Sequence, residues 1–135
     1  MPRSRETLAT GTAQADTGQT TVVQTPDWAS SAIVHLRVSA VAGTTPTTDM
    51  KFQYVHPVSG TALDMQWNGI TQIAGTTTGY VVVHIGTGNV DTEDDTGTVY
   101  FVKDQLPKVW NIVLTLDRTD TDETYSFSLA VEWIG

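Results

Sequence analysis

From residue 19 onward, apolar and polar positions alternate with a period of two, in short runs broken by Gly, Pro, Asn and Asp. Successive side chains of a strand point to opposite faces, so this period predicts half-buried β-strands. A first short run covers 19–24 and ends at Pro26. Residues 31–41 place Ala32, Val34, Leu36, Val38 and Ala40 on one face and Ile33, His35 and Arg37 on the other. Residues 48–56 set Met50, Phe52 and Tyr54 against Asp49, Lys51 and Gln53. SAVAGTTPTTDMKFQYV, 39–55, spans the turn between those two runs, where Gly43 and Pro46 supply the bend. Strands at 61–67 and 70–74 flank Asn68-Gly69, a strong hairpin signal.

The run 78–85 is apolar on both faces, Val81, Val83 and Ile85 against Tyr80, Val82 and His84, which predicts a central or covered strand. Residues 98–103 form a further strand that stops before Pro107. Near the C-terminus, Trp110, Ile112, Leu114 and Leu116 alternate with Val109, Asn111 and Thr115. Tyr125, Phe127, Leu129, Val131 and Trp133 then alternate with Ser126, Ser128 and Glu132. No window sustains a helical period.

Eight or nine antiparallel strands without a helix predict an all-β fold, a β-sandwich or jelly roll of about eight strands, because a sheet with one apolar face needs a second sheet to cover it. Residues 1–18 are polar, small and aperiodic. Alone they bury too little surface to offset their ordering entropy, so they are expected to form an extended N-terminal arm, held by a neighbouring subunit or partner. The sandwich domain is expected over 19–135.

Composition narrows the function. The chain has 135 residues, fitting one domain, and 24 threonines, which suit pleated surfaces facing water. Its formal net charge is −8 and its pI about 4.5. Phosphate recognition needs clustered Lys and Arg, so direct nucleic-acid binding is not expected; a basic partner or divalent cations fit better. The absence of cysteine excludes disulfides, thiol catalysis and Cys-ligated zinc. No apolar run approaches the ~18–20 residues of a membrane-spanning helix. The N-terminus has no apolar signal core, so the mature chain is expected to begin at or next to Met1.

Candidate chemistry is sparse. His35, His56 and His84 lie on separate strands without paired ligands, which favours surface or interface histidines over a zinc site. Asp91, Glu93, Asp94 and Asp95 in one loop, and Asp117, Asp120, Asp122 and Glu123 in another, are weak calcium candidates. Calcium takes six to eight hard oxygens from flexible loops, but Asp and Thr are equally ordinary turn formers and the EF-hand spacing is missing. A glycosidase pair would need two carboxylates across a cleft, which short turns do not promise. Nucleophile-elbow and phosphate-loop motifs are lacking, so neither enzymatic activity nor a cofactor is expected. Trp110 and Trp133 are in phase with core positions. Trp28 and Trp67 sit at strand ends, where packing, an interface anchor or a sugar platform all remain open.

Three stretches carry a resemblance. SSAIVHLRVSAVAGTTPTTDMKFQYV (30–55), ITQIAGTTTGYVVV (70–83) and VWNIVLTLDRTDTDETYSFSLAVEW (109–133) resemble the small β-sandwich structural proteins of tailed bacteriophages, the head decoration or cement type. There a strand ending V-x-A-V-x-G-T-x-P-T runs into D-V-x-V-Q, and the chain closes on W-x-x-x-G-T-x-P-S-F-T-F. The resemblance covers about residues 28–134. Thr48 departs from it, standing where an apolar residue is usual, as does DRTDTDE in place of a Gly-Thr-Pro turn.

The resemblance implies a non-enzymatic virion protein made in the host cytoplasm and placed on the outer capsid surface. It would bind the major capsid protein and sister copies, as a homotrimer. A tail or head–tail component and a carbohydrate-binding host-adhesion module are the alternatives. The interface residues expected are Arg3 and Arg5 in the arm, Trp28 at its junction with the sandwich, and His35, Arg37 and Tyr80 facing outward.

Overall fold

The computed structural model describes residues 3–14, 18–42, 47–65, 73–76, 79–86, 99–102, 106–117 and 123–135. Along the chain run strands β1 (Arg3–Gln14), β2 (Gly18–Gln24), β3 (Ser31–Ala42), β4 (Thr47–Val55), β5 (Ala62–Asp64), β6 (Ile73–Thr76), β7 (Gly79–Ile85), β8 (Val99–Val102), β9 (Val109–Asp117) and β10 (Thr124–Ile134). The first sheet has the order β1-β10-β3-β7-β8; the second has β2-β9-β4-β5, with β6 also pairing β4. No helix occurs among the described residues. The fold is the all-β sandwich that the period-two pattern predicts.

The core lies between the sheets. Val34, Leu36 and Val38 of β3, Val81, Val83 and Ile85 of β7, and the apolar set of β10 face Met50 and Phe52 of β4 and Trp110, Ile112, Leu114 and Leu116 of β9. Trp110 and Trp133 are both fully buried and meet edge to face, with ring centroids 6.2 Å apart at 88°. That geometry matches positive ring edge to negative ring face. Burying an aromatic ring of this kind contributes roughly 1.5–3 kcal/mol.

Each indole N–H needs a partner inside the sandwich. Trp110 Nε1 donates to Thr25 Oγ1 at 3.0 Å, and the Thr25 hydroxyl in turn donates to the Pro107 carbonyl at 2.5 Å. Thr25 lies just past β2, and its backbone amide also donates to the Lys108 carbonyl at 2.9 Å. This small knot fixes the crossing from the second sheet to the first beside the start of β9.

The N-terminal segment corrects an expectation. Residues 3–14 are extended, but they are not an arm reaching to a neighbour. They form β1, antiparallel to β10 from Arg3 opposite Ile134 to Gln14 opposite Tyr125. Backbone pairing supplies what the polar side chains do not, and Leu8 and Ala9 pack against the core. Gly11 lies directly over Phe127: a Cβ there would come within 2.5 Å of the ring. Register shifts after Thr7 and Gly11 interrupt the outer edge of β1, which blunts an otherwise long exposed edge.

Two further expectations change. β8 runs parallel to β7, with Val82 opposite Val99 and Ile85 opposite Val102, so the sandwich is not antiparallel throughout. A parallel neighbour requires the chain to return to the starting end first, and the separation from Ile85 to Val99 is of the length such a crossover needs. Tyr54, in phase with Met50 and Phe52, is 37% exposed. It sits at the end of β4 beside the three-residue edge strand β5, opposite Leu63, where the second sheet no longer has a full neighbour.

Candidate functional site

On β10 the residues between the core positions, Ser128, Ala130 and Glu132, face outward, and the same alternation turns His35 and Arg37 of β3 outward. Register places these side chains together. Arg5 pairs with Glu132, Glu132 with Ile33, and Ile33 with His84, giving one row across four strands. In the next row Thr7 pairs with Ala130, Ala130 with His35, and His35 with Val82.

Glu132 is the hub. Its Oε1 lies 2.7 Å from Arg3 Nε, a close ion pair. Its Oε2 lies 3.6 Å from an Arg5 terminal nitrogen and 3.7 Å from His35 Nε2. Glu132 is largely covered, while Arg3 and Arg5 are 62% and 68% exposed, so the guanidiniums point their remaining donors to solvent. His84 lies diagonal to His35 on the next strand. Burial holds its imidazole below the usual histidine range, the nearby His35 adds to that, and Glu132 opposes it.

A depression of about 220 Å³ opens beside this cluster, lined by Arg5, His35, Arg37, Val82, Ser128 and Ala130. Its floor is apolar and its walls carry two guanidiniums, an imidazole and a hydroxyl. Such an arrangement can hold a carboxylate or another planar anion in place.

Of the residues singled out in the sequence, Arg3, Arg5, His35 and Arg37 converge here. Tyr80 is opposite Arg37 in the backbone ladder, and its side chain lies outside the described set. Trp28 does not join them. It is 42% exposed in the crossing between β2 and β3, next to Asp27, which pairs with Lys108. Trp67, Asp91, Glu93, Asp94, Asp95, Asp120 and Asp122 lie outside the described residues, as does the side chain of Asp117.

His35 and His84 are neighbours, but the third histidine lies apart. His56 is in the turn after β4, on the other sheet, where its Nδ1 accepts from the amides of Val58 and Ser59 at 3.3 and 3.2 Å. Among the described residues no group of three or more His, Asp or Glu could hold a metal ion. None of the helix-free described segments offers a helix long and apolar enough to cross a membrane.

Sequence reasoning missed Glu132, the residue that organises the cluster. Its outward phase on β10 was readable, but nothing along the chain tells that Arg3, more than a hundred positions away, lies beside it.

A second depression, of about 370 Å³, lies at the end of the other sheet between Tyr54, His56, Pro57, Lys108 and Val109. Exposed Val58 and Leu63 belong to the adjoining hairpin. On the outer face of this sheet a polar ladder runs from Asn111 to Gln53 (3.3 Å) and from Gln53 to Asp64 (2.9 Å), with Lys51 also on Asp64. These bonds join β9, β4 and β5.

Compared with known proteins, the chain matches no family model, no curated relative and no solved structure.

Proposed function

We propose that this protein is a non-enzymatic structural component of a tailed-phage virion, most simply a head decoration protein that binds the outer capsid surface. Its work is adhesion: a folded sandwich presents a face, and the face docks on the major capsid protein and on sister copies, a trimer being the arrangement that the sequence resemblance implies. The observation that carries the reading is the outer face of the first sheet, where Arg3, Arg5, His35 and Glu132 form one connected polar surface beside Arg37. The resemblance over 28–134 supplies the virion context. With β1 held in the sandwich, contact with neighbours falls to sheet faces and loops.

Immuno-electron microscopy with an antibody to this chain, on particles from the strain that carries its gene, tests the reading. Label over heads supports it, label over tails redirects it to a tail component, and unlabelled particles overturn it. Light scattering of the purified chain then gives the oligomeric order.

A glycan-binding host-adhesion module is the second reading. It draws on the depression beside Tyr54, whose exposed ring and Lys108 resemble a small sugar platform. Hits on a glycan array that disappear in Tyr54→Ala would favour it; an array without hits removes it.

A further inference from the structure

We infer that the depression between Arg5 and Arg37 is a docking site for a carboxylate-bearing, extended segment of a partner protein. The inference deepens the docking reading above and rests on it.

The chain as a whole carries −8, so a face that gathers cations runs against its average. Among the described residues, the outward side of the first sheet bears Arg3, Arg5 and Arg37, and Glu132 is the carboxylate that Arg3 and Arg5 face. Glu132 is engaged closely by Arg3 and only at 3.6 Å by Arg5. A guanidinium has five N–H donors in a fixed fork, so Arg5 retains capacity for a second carboxylate.

Shape selects the occupant. A space of about 220 Å³ admits one acidic side chain with a little of its backbone, not a folded surface. Val82 and Ala130 give its methylenes an apolar floor, and the Ser128 hydroxyl and Arg37 complete a polar wall. A nucleic acid fits less well. Duplex DNA brings one charge every ~1.7 Å over a long track, and the remaining acidic surface would repel it. An acidic peptide concentrates a few carboxylates at the one face that attracts them.

The test uses fluorescein-labelled hexaglutamate and the full chain, read by fluorescence anisotropy at low salt, with hexalysine and a single-stranded oligothymidine as comparisons. The expected result is binding of hexaglutamate despite the net negative charge, weakening as salt is added. It should fall about tenfold or more in the double variant R5Q/R37Q and stay unchanged in Lys108→Gln at the end of the other sheet. Amide chemical shifts of the unaltered protein give a readout independent of how the variant folds: hexaglutamate should move residues 35–37, 82 and 128–130. No binding, shifts confined to other residues, or tighter binding of oligothymidine would each overturn the inference. Virion labelling is separate from all of these, so a chain present on particles that ignores hexaglutamate loses this inference alone, while a chain that binds hexaglutamate but is missing from particles loses the virion reading.

Discussion

The indole nitrogen of Trp133 donates a 3.0 Å hydrogen bond to Glu6 Oε1, joining a buried core ring on the last strand to a carboxylate on the first. Trp133 needs a partner because its ring is almost wholly enclosed, and β1 brings one by lying along β10. The bond therefore links the edge strand to the core as well as satisfying a donor. Glu6→Ala leaves the N–H without an acceptor and should lower unfolding free energy by about 1–2 kcal/mol. Glu6→Gln keeps an acceptor oxygen and should cost less than half of that. Urea unfolding followed by tryptophan fluorescence separates the two; equal losses would mean that the charge, not the acceptor, matters.

Gly11 and Gly18 offer a contrast within neighbouring strands. A methyl at Gly11 would meet the Phe127 ring at 2.5 Å and Gln14 Cγ at 2.6 Å, whereas one at Gly18 meets nothing within 4 Å. Overpacking of this kind typically costs about 1–3 kcal/mol. Gly11→Ala should fall in that range, because the ring it strikes is itself stacked on Tyr125 at 5.2 Å and has little room to turn. Gly18→Ala should hold stability or raise it slightly, through the smaller entropy of the unfolded chain. Thermal melts of both variants check the pair, and a similar loss at both would refute close packing of β1 on β10.

Much of the sandwich was legible because period-two alternation reports directly on which face is buried. Trp110, Trp133, the β3 residues Ala32, Val34, Leu36 and Val38, and the apolar sets of β9 and β10 occupy the core positions that the pattern assigns them. The first strand was not legible. RSRETLATGTAQ has no alternating apolar set, and its place comes from backbone hydrogen bonds to β10, which any sequence can make. The parallel pairing of β8 was hidden for a related reason, since alternation fixes faces but not strand direction. For the cluster around Glu132, the outward phases of His35 and Arg37 were readable, but their neighbours in space depend on register between strands far apart in the chain.

Thr48 is a polar residue in a core position. It is 2% exposed, lies opposite Leu116 on β9, and its hydroxyl finds no hydrogen-bond partner among the described residues. In the phage-protein pattern that the sequence resembles, an apolar residue is usual here. Replacing an unsatisfied buried hydroxyl by a methyl of similar size removes a desolvation cost. Thr48→Val should therefore raise stability by about 1 kcal/mol, seen as a higher denaturant midpoint at unchanged slope. A loss of stability instead would show that the hydroxyl is engaged.

His84 ties stability to pH. Its imidazole is held below its ordinary value of 6.5, first by burial, then by the proximity of His35, with Glu132 acting the other way. The unfolded chain titrates near the ordinary value, so on acidification it takes up a proton before the folded chain does. Between those two pH values the unfolded state binds more protons, and stability falls as pH falls. Above the ordinary value the full stability is present; below the folded-state value the loss is complete and constant. Unfolding free energy of the unaltered protein should thus decline as pH drops from about 7.5 to 5. The difference between it and His84→Gln reads this imidazole together with its coupling to His35 and Glu132. The variant should show the shallower decline, and parallel curves would remove His84 as a source of the pH dependence.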